Sequence, residues 1–141
     1  MDKFDGLALP VNAAARMTIH HPTNGQPLRS GEEQAEAYIE LLSLDSDDAQ
    51  KFERKLTTDR LARRNRGPLT ADELEQEQIE RLVGLTKSWR LCALDGAPLD
   101  IPCNGPNARD LYKSPGMRWL REQVETFVGA RANFTKGSPT S

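Results

Sequence analysis

Apolar residues recur at two different spacings in this chain, and the spacing changes near residue 46. Over Arg16–His21 they alternate with polar residues, so that Met17 and Ile19 share one side. Alternation of this kind is typical of a strand with one buried face. Asn24-Gly25 follows, a pair that accepts the positive φ angles of a tight hairpin turn. Pro27 cannot donate a ladder hydrogen bond, so the segment predicts a β-hairpin whose second strand is short or lies at an edge.

The segment Ala37–Leu44 fits two structures. The Glu-rich residues before it and its leucine content favour a helix, whereas Tyr38 and Ile39 favour a buried strand. Periodicity alone does not decide between the two. We predict a strand that returns beside residues 16–21, because Asp45-Ser46-Asp47-Asp48 is a helix-start signal and two helices so close together are less usual.

Helical spacing dominates beyond residue 46. Ser46 is the predicted cap of a helix that continues through the arginine-rich stretch Arg60–Arg66 and stops at Gly67-Pro68. A capping box formed by Thr70 and Glu73 predicts a second helix, which the apolar stripe extends to Leu91. Because the link between them is short, the two helices are expected to be antiparallel.

Proline and glycine make residues 91–105 read as an irregular loop. In this interpretation Leu94, Leu99 and Ile101 tether the loop to the core. Residues 106–112 predict one or two helical turns, and Ser114-Pro115 starts a last helix that runs to residue 133. Its buried face is predicted to carry Met117, Leu120, Val124, Phe127 and Val128.

These elements predict one α+β domain over residues 1–141, since a chain of this length forms one modest core. Residues 1–15 are expected to form a flexible arm, and residues 16–45 a β-rich part built on a small antiparallel hairpin or sheet. Residues 46–134 are expected to form a mainly α-helical region of three to four helices. Residues 135–141 are expected to be a disordered tail.

Composition and charge exclude several classes of function. Hydrophobic residues make up 37% of the chain and charged residues 28%, with a formal net charge of −2, so no overall attraction to nucleic acid or to an anionic membrane is expected. No stretch approaches the roughly 18 to 20 apolar residues that span a bilayer, and the first residues lack the apolar centre of a signal peptide. The expected location is therefore cytoplasmic, where Cys92 and Cys103 are ordinary thiols.

Candidate catalytic and metal-binding groups are few. His20 and His21 are adjacent in a predicted strand and point to opposite faces, so they cannot easily share one metal ion. The carboxylates of residues 72–80 belong to a solvated helix face, where nothing raises a pKa for acid–base chemistry. The sequence contains no phosphate-binding glycine loop and no nucleophile elbow. We therefore expect no enzymatic activity, no cofactor and no metal.

Several short stretches occur in an order that is informative as a whole. They are Pro22-Thr23-Asn24-Gly25-Gln26-Pro27, Leu44-Asp45-Ser46 before the arginine-rich helix, Leu82-Val83 with Lys87-Ser88-Trp89-Arg90-Leu91, Pro106-Asn107-Ala108 with Leu111-Tyr112, and Trp119-Leu120-Arg121-Glu122-Gln123-Val124 with Arg131-Ala132-Asn133-Phe134. In this order, over roughly residues 17–136, the chain resembles the tail assembly chaperones of long-tailed bacteriophages and prophages.

The resemblance implies a protein of the host cytoplasm that binds the long, helical tape measure protein stoichiometrically and leaves before the virion is finished. The tail tube protein is a second expected partner, and the oligomeric state stays open. We place the predicted partner-binding groove between the helices at 70–91 and 115–133. The predicted anchors are the aromatic residues Trp89, Tyr112, Trp119 and Phe127. The same four side chains would alternatively form the core of the monomer.

Two other functions remain as alternatives. The chain could be a structural component of the tail or neck that is retained in the virion. It could also be a nucleic-acid-binding phage regulator that uses Arg60–Arg66 as a phosphate-binding patch. The acidic helix beside that patch favours mutual neutralisation of the two charge runs instead.

Overall fold

The computed structural model describes residues 3–63 and 67–135 and confirms the predicted α+β class. The strands, in chain order, are β1 (Ala14–Thr18), β2 (Arg29–Ser30), β3 (Ala35–Glu36), β4 (Tyr38–Leu42), β5 (Thr86–Cys92) and β6 (Pro98–Leu99). The helices are α1 (Asp47–Ala62), α2 (Ala71–Leu85), α3 (Gly105–Lys113) and α4 (Arg118–Gly129). An antiparallel sheet has the order β1-β4-β5-β6, and β2 and β3 form a separate two-stranded sheet.

The predicted return strand is present, but the predicted hairpin is reduced to its turn and one isolated bridge between His20 and Pro27, because β1 ends at Thr18 and pairs with β4 instead. The His21 amide donates to the Gln26 carbonyl at 2.8 Å across the turn, where Gly25 has a φ of 73°. The ambiguous segment forms β4, which pairs antiparallel with β1 so that Met17 lies opposite Ile39. Because β1 begins at Ala14, the last two residues of the predicted arm belong to the sheet instead.

The helix predicted to run to Leu91 ends at Leu85, and this prediction was wrong beyond that point. Thr86–Cys92 is instead β5, which lies between β4 and β6 in the sheet. The residues from Lys87 to Leu91 have apolar side chains at Trp89 and Leu91, a spacing of two that is typical of a strand, but a segment this short is ambiguous on periodicity alone. Pairing with β4, which is distant in sequence, decides between the two.

One face of the sheet and three helices form the core. Burial alternates along β1, where Met17 is 4% exposed and its neighbour Arg16 is exposed. Apart from Ala49 of α1, the buried side chains of the helices come from α2, α3 and α4, and all belong to the same apolar cluster. They are Ile79, Leu82 and Leu85, then Ala108 and Tyr112, then Leu120, Val124, Phe127 and Val128.

The first helix is held mainly by α2. Its predicted cap is present, since the Ser46 hydroxyl accepts a hydrogen bond from the Ala49 amide at 3.2 Å, and Ala49 is its only fully buried residue. The predicted charge compensation is also present: Arg60 pairs with Glu77 and Arg63 with Glu73. The other two arginines of the predicted basic patch, at positions 64 and 66, lie outside the described residues.

The second helix begins with the predicted capping box. The Thr70 hydroxyl accepts from the Glu73 amide at 3.2 Å, and the Glu73 carboxylate accepts from the Thr70 amide at 3.3 Å. The hydrogen bond from the Thr70 backbone lowers the pKa of Glu73. This helix start is therefore fixed by its own sequence.

Residues 91–105 do not tether the core as predicted. The chain makes a tight turn at residues 93–97 and returns as β6, with Leu91 opposite Leu99. Leu94, Leu99 and Ile101 are 51%, 42% and 42% exposed. They belong to a short hairpin at the edge of the sheet, so the side chains that were expected to enter the core remain accessible to solvent.

The segment after α4 packs beside the start of β1. After α4, residues Arg131–Phe134 form a 3-10 turn rather than the predicted continuation of the helix, and Phe134 is 1% exposed. The Asn12 amide donates to the Phe134 carbonyl at 2.6 Å, and Val11 forms an isolated bridge with Thr135. The predicted disordered tail otherwise falls on residues 136–141, which lie outside the described residues.

Candidate partner-binding groove

The structure separates the four predicted anchors. Tyr112 is 1% exposed, and its hydroxyl lies 2.6 Å from the Thr86 hydroxyl, inside the core. Desolvation raises the pKa of Tyr112 well above its ordinary value. A partner could reach this side chain only if the core opened.

Trp89 lies on β5, two strands away from β1. Its indole Nε1 donates to the Ile101 carbonyl at 2.7 Å, which joins β5 to the chain that follows β6. The side chain is partly buried and contacts the core. This arrangement gives Trp89 a structural role on an inner strand, outside the groove that β1 and α4 form.

Trp119 and Phe127 lie together in one groove between β1 and α4. The groove has a volume of about 500 Å³. Its lining residues come from the end of β1 and the residues just after it, from one side of α4 and from the turn after α4. They are Met17, Thr18, His20, Trp119, Glu122, Gln123, Thr126, Phe127 and Asn133. This groove is a better candidate for partner binding than the predicted one, because it joins two of the predicted anchors.

Helix periodicity explains why α4 presents these residues to β1. Trp119, Gln123 and Phe127 are spaced by four and share one side of the helix. The neighbouring row of Leu120, Val124 and Val128 enters the core. At the floor of the groove Phe127 packs edge to face on Phe134, with ring centroids 5.4 Å apart. The position of the Phe127 ring is therefore fixed by the core.

Gln123 holds α4 against the edge of the sheet. The His20 amide donates to Gln123 Oε1 at 3.0 Å, and Gln123 Nε2 donates to the His20 carbonyl at 2.8 Å. A primary amide has the same donor and acceptor groups as a peptide unit. Gln123 therefore occupies the place that a residue of a neighbouring strand would take.

Backbone groups of β1 also face the groove side. The Ser43 amide donates to the Ala13 carbonyl and the Ile19 amide to the Ala37 carbonyl, at 2.8 and 3.0 Å. In an antiparallel ladder the bonded pairs alternate with unbonded ones. The register then directs the N–H and C=O groups of Arg16 and Thr18 away from β4.

The open face of the sheet beside this edge carries two arginines and one carboxylate, that of Glu40, which lies opposite Arg16 in the register and accepts a hydrogen bond from the Ser88 hydroxyl at 2.9 Å. The Arg16 guanidinium lies 4.2 Å from the centre of the Tyr38 ring, and the Arg90 guanidinium lies 5.8 Å from it. Within the described residues neither arginine forms an ion pair, whereas most other arginines do. These two charges are therefore available to an acidic partner.

The predicted groove between α2 and α4 is a small polar cleft. Its volume is about 340 Å³, and the ion pair between Arg121 and Glu75 crosses it at 3.2 Å. The helix α3 packs against both of its neighbours there. Tyr112 is the one predicted anchor at this cleft, and it is buried.

The described part of the chain holds no cluster of three or more His, Cys, Asp or Glu side chains that could bind a metal ion. Cys92 and Cys103 are both free, and burial raises the pKa of each thiol, which disfavours the reactive thiolate at neutral pH. Across residues 3–63 and 67–135, no helix combines the length and the apolar character that crossing a bilayer would take.

Comparisons with protein-family models, with characterised proteins and with solved structures found no match to this chain.

Sequence reasoning identified Trp119 and Phe127 but missed their neighbours on β1. The spacing of Trp119, Gln123 and Phe127 was visible in the sequence and marks one side of a helix. What that side faces depends on the pairing of β1 and on the path of the chain after α4. Neither of these is indicated by a pattern in the neighbouring residues.

Proposed function

We propose that this protein is a phage tail assembly chaperone that binds the tape measure protein stoichiometrically and keeps it soluble until the tail tube polymerises. The resemblance to that family supports the proposal. The observation that carries it in the structure is the groove between β1 and α4, which Trp119 and Phe127 both line and in which Phe127 packs edge to face on Phe134.

The proposed mechanism requires binding alone. A long helical protein that awaits its tube exposes apolar surface, which promotes aggregation. A groove with an aromatic anchor covers part of that surface without a covalent bond, so the complex can be reversed. The tail tube subunits would then displace the chaperone as they polymerise.

The alternative of a nucleic-acid-binding regulator is less well supported. Arg60 and Arg63 form ion pairs with Glu77 and Glu73, so half of the predicted phosphate-binding patch is already neutralised within the protein. A structural tail component could use the same groove, and only its presence in finished virions would distinguish it.

Replacing Trp119 by alanine tests the groove. We expect Trp119→Ala to weaken binding of the tape measure protein at least tenfold, about 1.4 kcal/mol or more, as truncation of an interface anchor does. Trp89→Ala is the matched control, because Trp89 is also a partly buried tryptophan but lies outside the groove. The measurement is co-expression of each variant with the tape measure protein of the same phage or prophage, followed by the yield of soluble complex and its Kd.

Equal losses from Trp119→Ala and Trp89→Ala would contradict the proposed surface, since they would report stability rather than contact. If Trp119→Ala unfolds the isolated protein, Trp119 belongs to the core and is not an anchor. Thr126→Arg then provides the decisive test. Thr126 is exposed at the groove, so a bulky charged side chain there blocks the groove without disturbing the core.

A further inference from the structure

We infer that the groove receives its partner as an extended strand that adds to the edge of β1. This inference rests on the proposed function, because the strand would belong to the tape measure protein. The occupant is a short extended segment outside the helices of that protein, with apolar side chains directed into the groove and an acidic side chain on the opposite face. The argument starts from the backbone of β1.

At both ends of the β1 edge, backbone groups already form hydrogen bonds with other parts of the protein. At one end the Asn12 amide donates to the Phe134 carbonyl at 2.6 Å. At the other end the side-chain amide of Gln123 exchanges two hydrogen bonds with the backbone of His20. In both contacts the backbone at the β1 edge forms hydrogen bonds like those it would form with a neighbouring strand. The geometry of the edge is therefore suited to strand addition.

Between these two ends the edge is open. The N–H and C=O groups of Arg16 and Thr18 point away from β4, and no other described residue forms a hydrogen bond with them. Arg16 and Thr18, one on each side of Met17, are about 7 Å apart at the usual rise of a strand. A partner segment of about four residues would satisfy these groups.

The surroundings of the edge determine the side chains of that segment. On the core side of the sheet lie Met17, Trp119 and Phe127, which favour an apolar side chain. On the opposite face lies Arg16, stacked on Tyr38 and without an ion pair among the described residues, while the Glu40 carboxylate opposite it is hydrogen-bonded to Ser88. Side chains of a strand alternate between faces, so an acidic residue next to an apolar one matches both surfaces.

A helix docked in the same groove would contact Trp119 but would leave the backbone of β1 unpaired, because a helix uses its own N–H and C=O groups. The two modes therefore differ in what happens to the amides of Arg16 and Thr18. The Met17 amide is the internal reference, since it faces β4 in the free protein.

Amide hydrogen exchange tests this inference on the full-length chain in complex with the tape measure protein. Strand addition predicts that exchange at Arg16 and Thr18 slows at least tenfold on binding, while exchange at Met17 changes little. A complex in which Arg16 and Thr18 exchange as in the free protein would overturn the inference and leave the proposed function standing. If no complex forms, the proposed function fails, and the inference falls with it.

A proline variant adds a functional readout. Thr18→Pro removes an N–H group that faces away from β4, and proline is tolerated at such positions of edge strands. We expect Thr18→Pro to raise the Kd for the tape measure protein at least tenfold, and Thr18→Ala, which keeps the N–H group, to change it less than twofold. Equal binding by the two variants would contradict strand addition. If Thr18→Pro does not fold, the exchange measurement on the natural chain decides the question.

Discussion

Replacing Phe134 by alanine is expected to lower the free energy of unfolding by about 3 to 5 kcal/mol, the usual cost of deleting a large buried aromatic side chain. Phe134 is 1% exposed and stacks edge to face on Phe127. Its carbonyl also receives the amide of Asn12 beside β1. The loss should therefore appear as a lower midpoint in urea unfolding and as faster amide exchange at the start of β1.

Phe4→Ala is the matched control for this substitution. The Phe4 side chain is 59% exposed, so its loss is expected to change the free energy of unfolding by less than about 0.5 kcal/mol. Similar effects from the two substitutions would show that the 3-10 turn after α4 is not part of the core. The groove would then lose the support that fixes Phe127.

The second large effect concerns Gly84, in the last turns of α2. Alanine usually stabilises a helix by about 1 kcal/mol relative to glycine, but here we expect Gly84→Ala to destabilise the protein by about 1 to 3 kcal/mol through overpacking. A Cβ atom at Gly84 would lie 2.6 Å from the ring of Phe52 on α1. Phe52 is half-buried, so the added methyl group has to push its ring away from α2 and weaken the contact between the two helices.

Two further comparisons separate this contact from helix propensity. Gly129→Ala lies at the end of α4 with no atom within 4 Å of the added Cβ, so it is expected to be neutral or slightly stabilising. In a Phe52→Ala background the addition of Gly84→Ala should no longer destabilise, because the clash is gone. Urea unfolding of the four variants measures both effects. A stabilising Gly84→Ala in the natural background would contradict the close contact between α1 and α2.

Local signals predicted much of the fold. Ser46 and the pair Thr70 and Glu73 marked the starts of α1 and α2, because caps satisfy the free amides of a helix from neighbouring residues. The alternation from Met17 to Ile19 predicted which side of β1 is buried. The strand β4 was predicted from the helix start that follows it rather than from its own ambiguous composition.

The parts that were missed depend on contacts between distant segments. β5 had a pattern compatible with a helix, and its pairing with β4 across more than 40 residues of sequence decided its structure. The same holds for the candidate groove. The sequence indicated Trp119 and Phe127 as aromatic candidates. It did not indicate that β1 forms the other side of the groove, because the hydrogen bonds between Gln123 and His20 that hold α4 beside β1 join segments far apart in sequence.

The most direct test of the proposed function is mass spectrometry of two samples from one culture in which the phage or prophage is assembling. One sample is an affinity pull-down of the tagged protein from the lysate, and the other is purified virions. The chaperone proposal predicts that the pull-down contains the tape measure protein and that virions lack this chain. Stoichiometric amounts of this chain in virions would contradict the proposal and support the structural tail component.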